Sequence, residues 1–330
     1  MRILYVNNYF SDYISFEKCF KGELSLSHLW GIDSVINDSD VKYYLECSDY
    51  IPQKKSRCMR FLLTVCFQLK LLFKYIFFHP VDVVYSASAH QIDIFTIYKY
   101  IFKKSKIRLF VIIHHPCRLL FVDQYEYIVC FSKYTYNFFK ERYNNTNILY
   151  KYWGPYLPFY NESIFTKSDV IYDFYSNGKS CRDIYLLRDA LNTSKKYTGI
   201  VLGIDVSSEN CLGLSVISQS TNLKLLYQSK VVCVPVIKDL RGICGLTSIN
   251  DSLGARKPVL ISDSCNLGFS VEDVGIGLEY KAGDMIDLLD KMEKILLPNN
   301  YNRMVKNIDI FLRSHSYSDF SNYIGNLIRN

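Results

Sequence analysis

The chain has 330 residues, 49% hydrophobic and 22% charged, with 15 glycines and 8 prolines. That balance excludes a collagenous, low-complexity or disordered polymer and leaves one large domain or two of ordinary size, each with a filled core. The net charge of +7 is unevenly spread: no Asp or Glu occurs from Tyr50 to Val81 or from Ile94 to Val122, and both windows are rich in Lys, Arg and aromatics. Such a surface suits anionic partners. The windows contain no nucleic-acid recognition motif, so a nucleic-acid partner is not expected.

The chain opens with a strand signal, Ile3-Leu-Tyr-Val, too short and too soon followed by Asn7 and Asn8 to be a secretory leader. A loop with Gly22 leads to a helical segment from Ser27 that carries His28. Arg57 to Phe78 is an apolar, basic helix in which Arg60, Thr64 and Gln68 recur at helical spacing as a narrow polar stripe beside Lys70 and Lys74. It suits either a membrane interface or a helix packed on a sheet. Short β-rich runs follow at Val81–Ser86, Ile107–His114 and Tyr127–Phe131, with helical segments at Ile92–Phe102 and Lys133–Tyr143 between them. Alternation of this kind predicts a doubly wound parallel sheet. His90 stands where the first of these helices begins, and the pair His114-His115 ends an apolar strand.

Lys151 to Tyr160 holds two prolines and a glycine and reads as a linker. A second alternating half begins with a strand at Val170–Tyr175. The turn Ser176-Asn-Gly-Lys-Ser-Cys-Arg-Asp183 supplies Lys179 and Arg182 as donors and Asp183 as the N-cap of a helix. Further strands are expected at Thr198–Ile204 and Leu212–Ile217, with a helix at Asn222–Ser229. Val231 to Val236 suits a strand buried on both faces. Gly245 then opens a helix with Thr247 and Ser248 in its first turn and Asp251 one turn on, and Pro258 ends the unit before a strand at Val259–Ser262. A helix N-terminus offers unpaired N–H groups and a positive dipole end to a pyrophosphate, and a carboxylate one turn on can accept from a ribose diol. Asn250 is a rival to Asp251. Helices are expected at Asp284–Leu296, Tyr301–Ser314 and Ser318–Ile328.

The eleven cysteines are odd in number, with no Cys-x-x-Cys pair, and Cys66, Cys130 and Cys233 sit in apolar runs. They read as reduced thiols of a cytoplasmic protein, with no metal expected. No Gly-x-Gly-x-x-Gly follows a strand, which disfavours a dehydrogenase.

The segment Gly245-Leu-Thr-Ser-Ile-Asn-Asp251, continued by Leu253-Gly-Ala-Arg-Lys-Pro-Val259, resembles the donor-binding motif of retaining GT-B glycosyltransferases of the family 4-like group. The resemblance implies two Rossmann-like domains facing a cleft: an acceptor-side domain over 1–160, a donor domain over 161–312, and a C-terminal helix over 313–330 crossing back to the first. It implies that Lys179 or Arg182 grips the diphosphate with Gly245, Thr247 and Ser248, that Asp251 binds the ribose, and that His114 or His115 faces the reacting sugar. His28 and, more remotely, His90 would lie on the acceptor side. The implied activity is transfer of a hexose from a nucleotide diphosphate sugar, with retention and without a metal or other cofactor. The acceptor would be lipid-linked or a glycan in surface-polysaccharide (O-antigen, capsule or lipopolysaccharide) synthesis, at the inner face of the cytoplasmic membrane. One departure stands out. Many members carry an additional acid before the glycine turn, where this chain has Ile243 beside Cys244. That keeps two alternatives open: an inert GT-B relative that binds a partner or membrane, and a nucleotide-sugar epimerase.

Overall fold

The structure is a computed structural model that describes residues 1–7, 13–47, 56–144, 147–161, 164–178, 180–203, 207–215, 217–238 and 243–330. It divides into two compact units, one made of Met1–Trp153 with Tyr317–Asn330, the other of Gly154–Ser316. Each is an α/β unit around one six-stranded parallel sheet.

In the first unit the strands are β1 (Arg2–Asn7), β2 (Lys42–Cys47), β3 (Val83–Ser86), β4 (Arg108–Ile113), β5 (Tyr127–Cys130) and β6 (Ile148–Tyr150), in the order β2-β1-β3-β4-β5-β6. The central strands are apolar on both faces because helices cover both sides. Leu4 is in register with Val84, and Val84 with Leu109, and all three are fully buried. The edge strand β2, Lys-Tyr-Tyr-Leu-Glu-Cys, is at most half-buried, which is why no continuous apolar run marks it in the sequence. The helical segment expected from Ser27 is a single turn, Leu26–Leu29, that ends where Trp30 (φ 57°) and Gly31 (φ 87°) take left-handed conformations.

The last helix, Tyr317–Arg329, belongs to this first unit. The Tyr317 hydroxyl donates to Asp33, whose other carboxylate oxygen accepts from Ser321 at 3.0 Å. Burial pushes the Asp33 carboxyl upward, since none of its partners is a cation.

The second unit contains β7 (Tyr172–Ser176), β8 (Gly199–Leu202), β9 (Cys211–Leu214), β10 (Ser229–Val234), β11 (Val259–Ser262) and β12 (Gly277–Tyr280), in the order β12-β11-β10-β7-β8-β9. The valine-rich run forms β10, with Val231 to Val234 fully buried. The division falls at Gly154 rather than at 160. The Tyr160 ring packs on Gly254, and the Tyr160 carbonyl accepts from the Tyr227 hydroxyl at 2.6 Å, so the expected linker is divided: Lys151 to Trp153 belong to the first unit and Tyr160 to the second unit's core.

Candidate functional site

Chain order reverses in the second sheet between its neighbours β7 and β10. The loops leaving the carboxyl ends of such a pair diverge, and the space between them is where open α/β sheets bind ligands. β7 leads into Asn177, Gly178 and Arg182, and Asp183 then caps the helix Ile184–Ser194 by accepting from the Leu186 N–H at 3.2 Å. β10 leads to Gly245, the N-cap of the helix Leu246–Gly254. Gly245 has φ 96°, and a Cβ there would lie 2.7 Å from a Val234 methyl, so both backbone shape and space require glycine. With no side chain at this cap, the first-turn N–H groups are not satisfied by a capping residue.

Arg182 bridges the two loops. Its guanidinium donates to Ser248 Oγ at 3.0 Å, to the carbonyls of Asn177 (3.3 Å) and Ser180 (3.0 Å), and to Cys244 Sγ at 2.9 Å. Every one of these acceptors is neutral, and among the described residues no carboxylate forms an ion pair with Arg182. Among the described residues the cation is therefore held at a helix N-terminus by neutral partners alone. Ser248, itself buried, passes the contact on by donating to the Asn177 carbonyl at 3.2 Å.

One turn along the same helix, Asp251 accepts from the Tyr160 hydroxyl at 2.7 Å and from Asn177 Nδ2 at 2.8 Å. Both partners are neutral and desolvation dominates, so the carboxyl is pushed up to about 6. Asn250, the rival position, points into the protein and is 4% exposed. Thr247 is exposed in the first turn, and Lys179 lies outside the described residues.

In the first unit the carboxyl ends of β4, β5 and β6 carry an aromatic stack. Trp30 stacks on Trp153 at 4.6 Å and on Phe131 at 5.4 Å. His114 meets Trp30 and Phe131 edge-on, at 4.6 and 4.9 Å. Its Nε2 lies 2.7 Å from the Ala87 carbonyl, which can only accept, so Nε2 carries the proton and Nδ1 is the acceptor. Burial lowers the His114 imidazole to about 4, and it is neutral at physiological pH. His28 is lowered to about 4 for the same reason and lies 6.4 Å from Trp30 and 6.5 Å from Trp153. His115 is exposed beside them. His90 sits elsewhere: left-handed at φ 64°, it faces Asp93 Oδ2 at 3.0 Å, and that carboxylate together with Cys117 raises it to about 10. It braces the start of the helix Asp93–Ile101.

Of the residues singled out from the sequence, the structure joins Arg182, Ser248 and Asp251 through Asn177 in one hydrogen-bonded group in the second unit, with Gly245 as the N-cap of their helix and Thr247 alongside. It gathers His114 and His28 on one aromatic stack in the first. Two members of the second group were not singled out, Tyr160 and Asn177. The Asn-Gly turn signal marks Asn177 only as a turn residue, and nothing local to Tyr160 points to a residue 91 positions away. Ile243, where an acid would stand, is apolar and 7% exposed. Among the described residues no group of three or more His, Cys, Asp or Glu is arranged to hold a metal ion.

No protein-family model matches this chain, and no curated protein matches it. Solved structures do. A glycosyltransferase from Rickettsia africae has a TM-score of 0.66 at 12% identity, covering 100% of this chain and 99% of its own. An alpha,alpha-trehalose 6-phosphate synthase from Burkholderia multivorans has 0.70 at 10%, over 99% and 98%. HepE of Anabaena, in complex with UDP, has 0.64 at 11%, over 100% of both chains. These neighbours are GT-B glycosyltransferases, and the fold of this chain is GT-B.

Proposed function

We propose that the protein is a glycosyltransferase that takes a nucleotide diphosphate sugar and moves a hexose, with retention, to a lipid-linked or glycan acceptor in surface-polysaccharide synthesis on the cytoplasmic side of the inner membrane. The observation that carries the reading is Arg182, a cation held among the described residues by neutral partners at a helix N-terminus without a capping side chain, with Asp251 one turn further along the same helix. A diphosphate would sit on the guanidinium and the first-turn N–H groups. The ribose hydroxyls would donate to Asp251. UDP in HepE is a precedent from the same fold.

In this reading the bond between the anomeric carbon and the diphosphate oxygen breaks, and the charge that grows on the departing diphosphate is met by Arg182 and the helix dipole. The acceptor hydroxyl attacks on the same face and its proton passes to the leaving phosphate. The neutral His114 would accept a hydrogen bond from a sugar hydroxyl through Nδ1 rather than act as an acid. The scheme needs no metal ion.

Thermal-shift measurements with UDP, GDP, ADP and CMP, alone and as their common sugar conjugates, test the reading. One diphosphate should raise the melting temperature of the wild type and not of Arg182→Ala. Absence of a shift with all of them at millimolar concentration would favour the inert-relative reading, which rests on the buried, apolar Ile243.

A further inference from the structure

The helix Arg57–Phe73 and the π-helical turn Lys74–Phe78 that continues it carry two apolar stripes. The inner one, Phe67, Leu71 and Tyr75, is at most 3% exposed and packs into the first unit's core. The outer one, Leu62, Cys66, Leu69, Phe73 and Phe77, recurs at the same helical spacing on the opposite side, with Phe73 58% and Phe77 68% exposed. Of the narrow polar stripe expected from the sequence, Arg60 faces solvent but Gln68 does not. Gln68 is buried, donating to the His90 carbonyl at 2.8 Å and accepting from the Ile94 N–H at 2.9 Å, and the Thr64 hydroxyl turns back to the Arg60 carbonyl.

The apolar face extends past this helix. Tyr100, Ile101 and Phe102 end the neighbouring helix exposed, and Tyr100 stacks on Phe121 at 4.4 Å. A cavity of about 340 Å³ opens between the two helices, with walls that include Phe61, Val65, Ile97 and Leu120. The surround is basic: Arg60, Lys70, Lys103, Lys104 and Arg118 are exposed. None of them has an ion-pair partner among the described residues. So large an exposed apolar patch marks an interaction surface.

We propose that the first unit docks on an anionic lipid bilayer through this face. Phe73, Phe77, Ile101 and Phe102 enter the boundary between headgroups and acyl chains, and the lysines and arginines meet lipid phosphates. The charge selects the occupant: a second copy of the chain would press the same positive rim against itself, whereas anionic headgroups complement it. The helix lies along the membrane plane. Cys58–Phe78 is 21 residues long with a hydropathy of 1.7, enough by length and composition to cross a bilayer. But spanning would strip Phe67, Leu71 and Tyr75 from the core and break the Gln68 bonds and those of Lys74 (2.7 Å) and Tyr75 (2.6 Å) to Glu46. Docking does not depend on the donor reading, and Arg182→Ala leaves it unchanged.

Vesicle flotation with phosphatidylcholine, with and without phosphatidylglycerol, tests the proposal on the full chain. The protein should float with the anionic vesicles and be released by high salt and by alkaline carbonate. The double variants Phe73→Asp/Phe77→Asp and Lys103→Glu/Lys104→Glu should each weaken partitioning about tenfold or more. Their replaced side chains are all exposed, so an unchanged melting temperature checks that each variant is folded. Four results overturn the proposal: no flotation with anionic vesicles, flotation undiminished in both variants, resistance to carbonate, or a dimer in light scattering that Phe73→Asp/Phe77→Asp disperses.

Discussion

The two sheets share a design and differ in what they present at their carboxyl ends. The first ends in stacked rings, Trp30, Phe131 and Trp153, with two histidines held neutral by burial. The second ends in a polar cradle in which a guanidinium and a half-buried carboxylate are both held, among the described residues, by neutral hydrogen-bond partners. Six parallel strands fix where a site forms, at their carboxyl ends, and in the second sheet where order reverses. The few residues after each strand fix its chemistry: π faces and neutral acceptors in one unit, fixed charge in the other. A sugar offers hydroxyls and C–H faces, whereas a nucleoside diphosphate offers charge and a diol.

The sharpest way to break that contrast is to remove the cation. Arg182→Ala should weaken binding of the stabilising diphosphate about 100-fold, as expected when a charge-assisted contact in a half-buried site is truncated. Arg182→Lys should recover only part of it, because an ammonium cannot reproduce the fork that spans Ser248 and the Asn177 carbonyl. Titration calorimetry of both variants measures this. Unchanged affinity in Arg182→Ala would remove the charge from the second unit's side of the comparison.

The carboxylate gives the next effect and has a definite sign. The Asp251 carboxyl is raised from 3.8 to about 6, so the folded chain holds that proton more tightly than the unfolded chain does. Its contribution to stability is present below about pH 4 and is lost as pH rises through about 6. Asp251→Asn should therefore raise the melting temperature at pH 8, by about 1–3 kcal/mol of stability. It should also weaken the diphosphate roughly tenfold by losing the ionised acceptor. Wild-type affinity should fall as pH drops through about 6, and that slope should vanish in the variant.

Much of this was legible in the sequence where the signal is local. The valine run that became β10, the glycine that opens the helix Leu246–Gly254, and Asp183 as an N-cap each follow from residue types over a few positions. The edge strands β2 and β6 were not legible, because they are short or half-exposed and lack a two-faced apolar run. The unseen parts of the site are those that chain distance hides. Tyr160 reaches Asp251 and Trp153 reaches Trp30 only after the sheets form, and no spacing rule connects them. The outer stripe of the Arg57–Phe73 helix was obscured for a related reason: Gln68 reads as a solvent residue until its partners on the next helix are known.

The first unit's half of the contrast is tested at His114. Since its imidazole is held near 4, the pH profile of turnover should show no inflection from it between pH 5 and 8. His114→Ala should lower kcat about tenfold, the loss of one hydrogen-bond acceptor. It should leave diphosphate affinity unchanged, because that contact belongs to the second unit. An inflection near 6.5 that disappears in the variant would mean that this histidine titrates as an acid or base, contrary to its burial.

The last expected effect separates packing from chemistry within the second unit. Gly254 closes the helix that carries Ser248 and Asp251, and a Cβ there would lie 2.4 Å from Tyr160 Cδ2. The ring is enclosed and its hydroxyl is tied to Asp251, so it cannot rotate away without losing that bond. Gly254→Ala should thus destabilise the protein by about 1–3 kcal/mol through overpacking. The displaced Tyr160 would withdraw one of the two bonds to Asp251, so the carboxyl should rise further and the pH at which diphosphate affinity falls should move upward with it. Tyr160→Phe removes the same bond without the clash. If it reproduces the pH shift but not the loss of stability, the ring supports the helix and the hydroxyl tunes the carboxylate. If neither variant moves the pH dependence, burial alone sets the Asp251 proton and Tyr160 serves packing only.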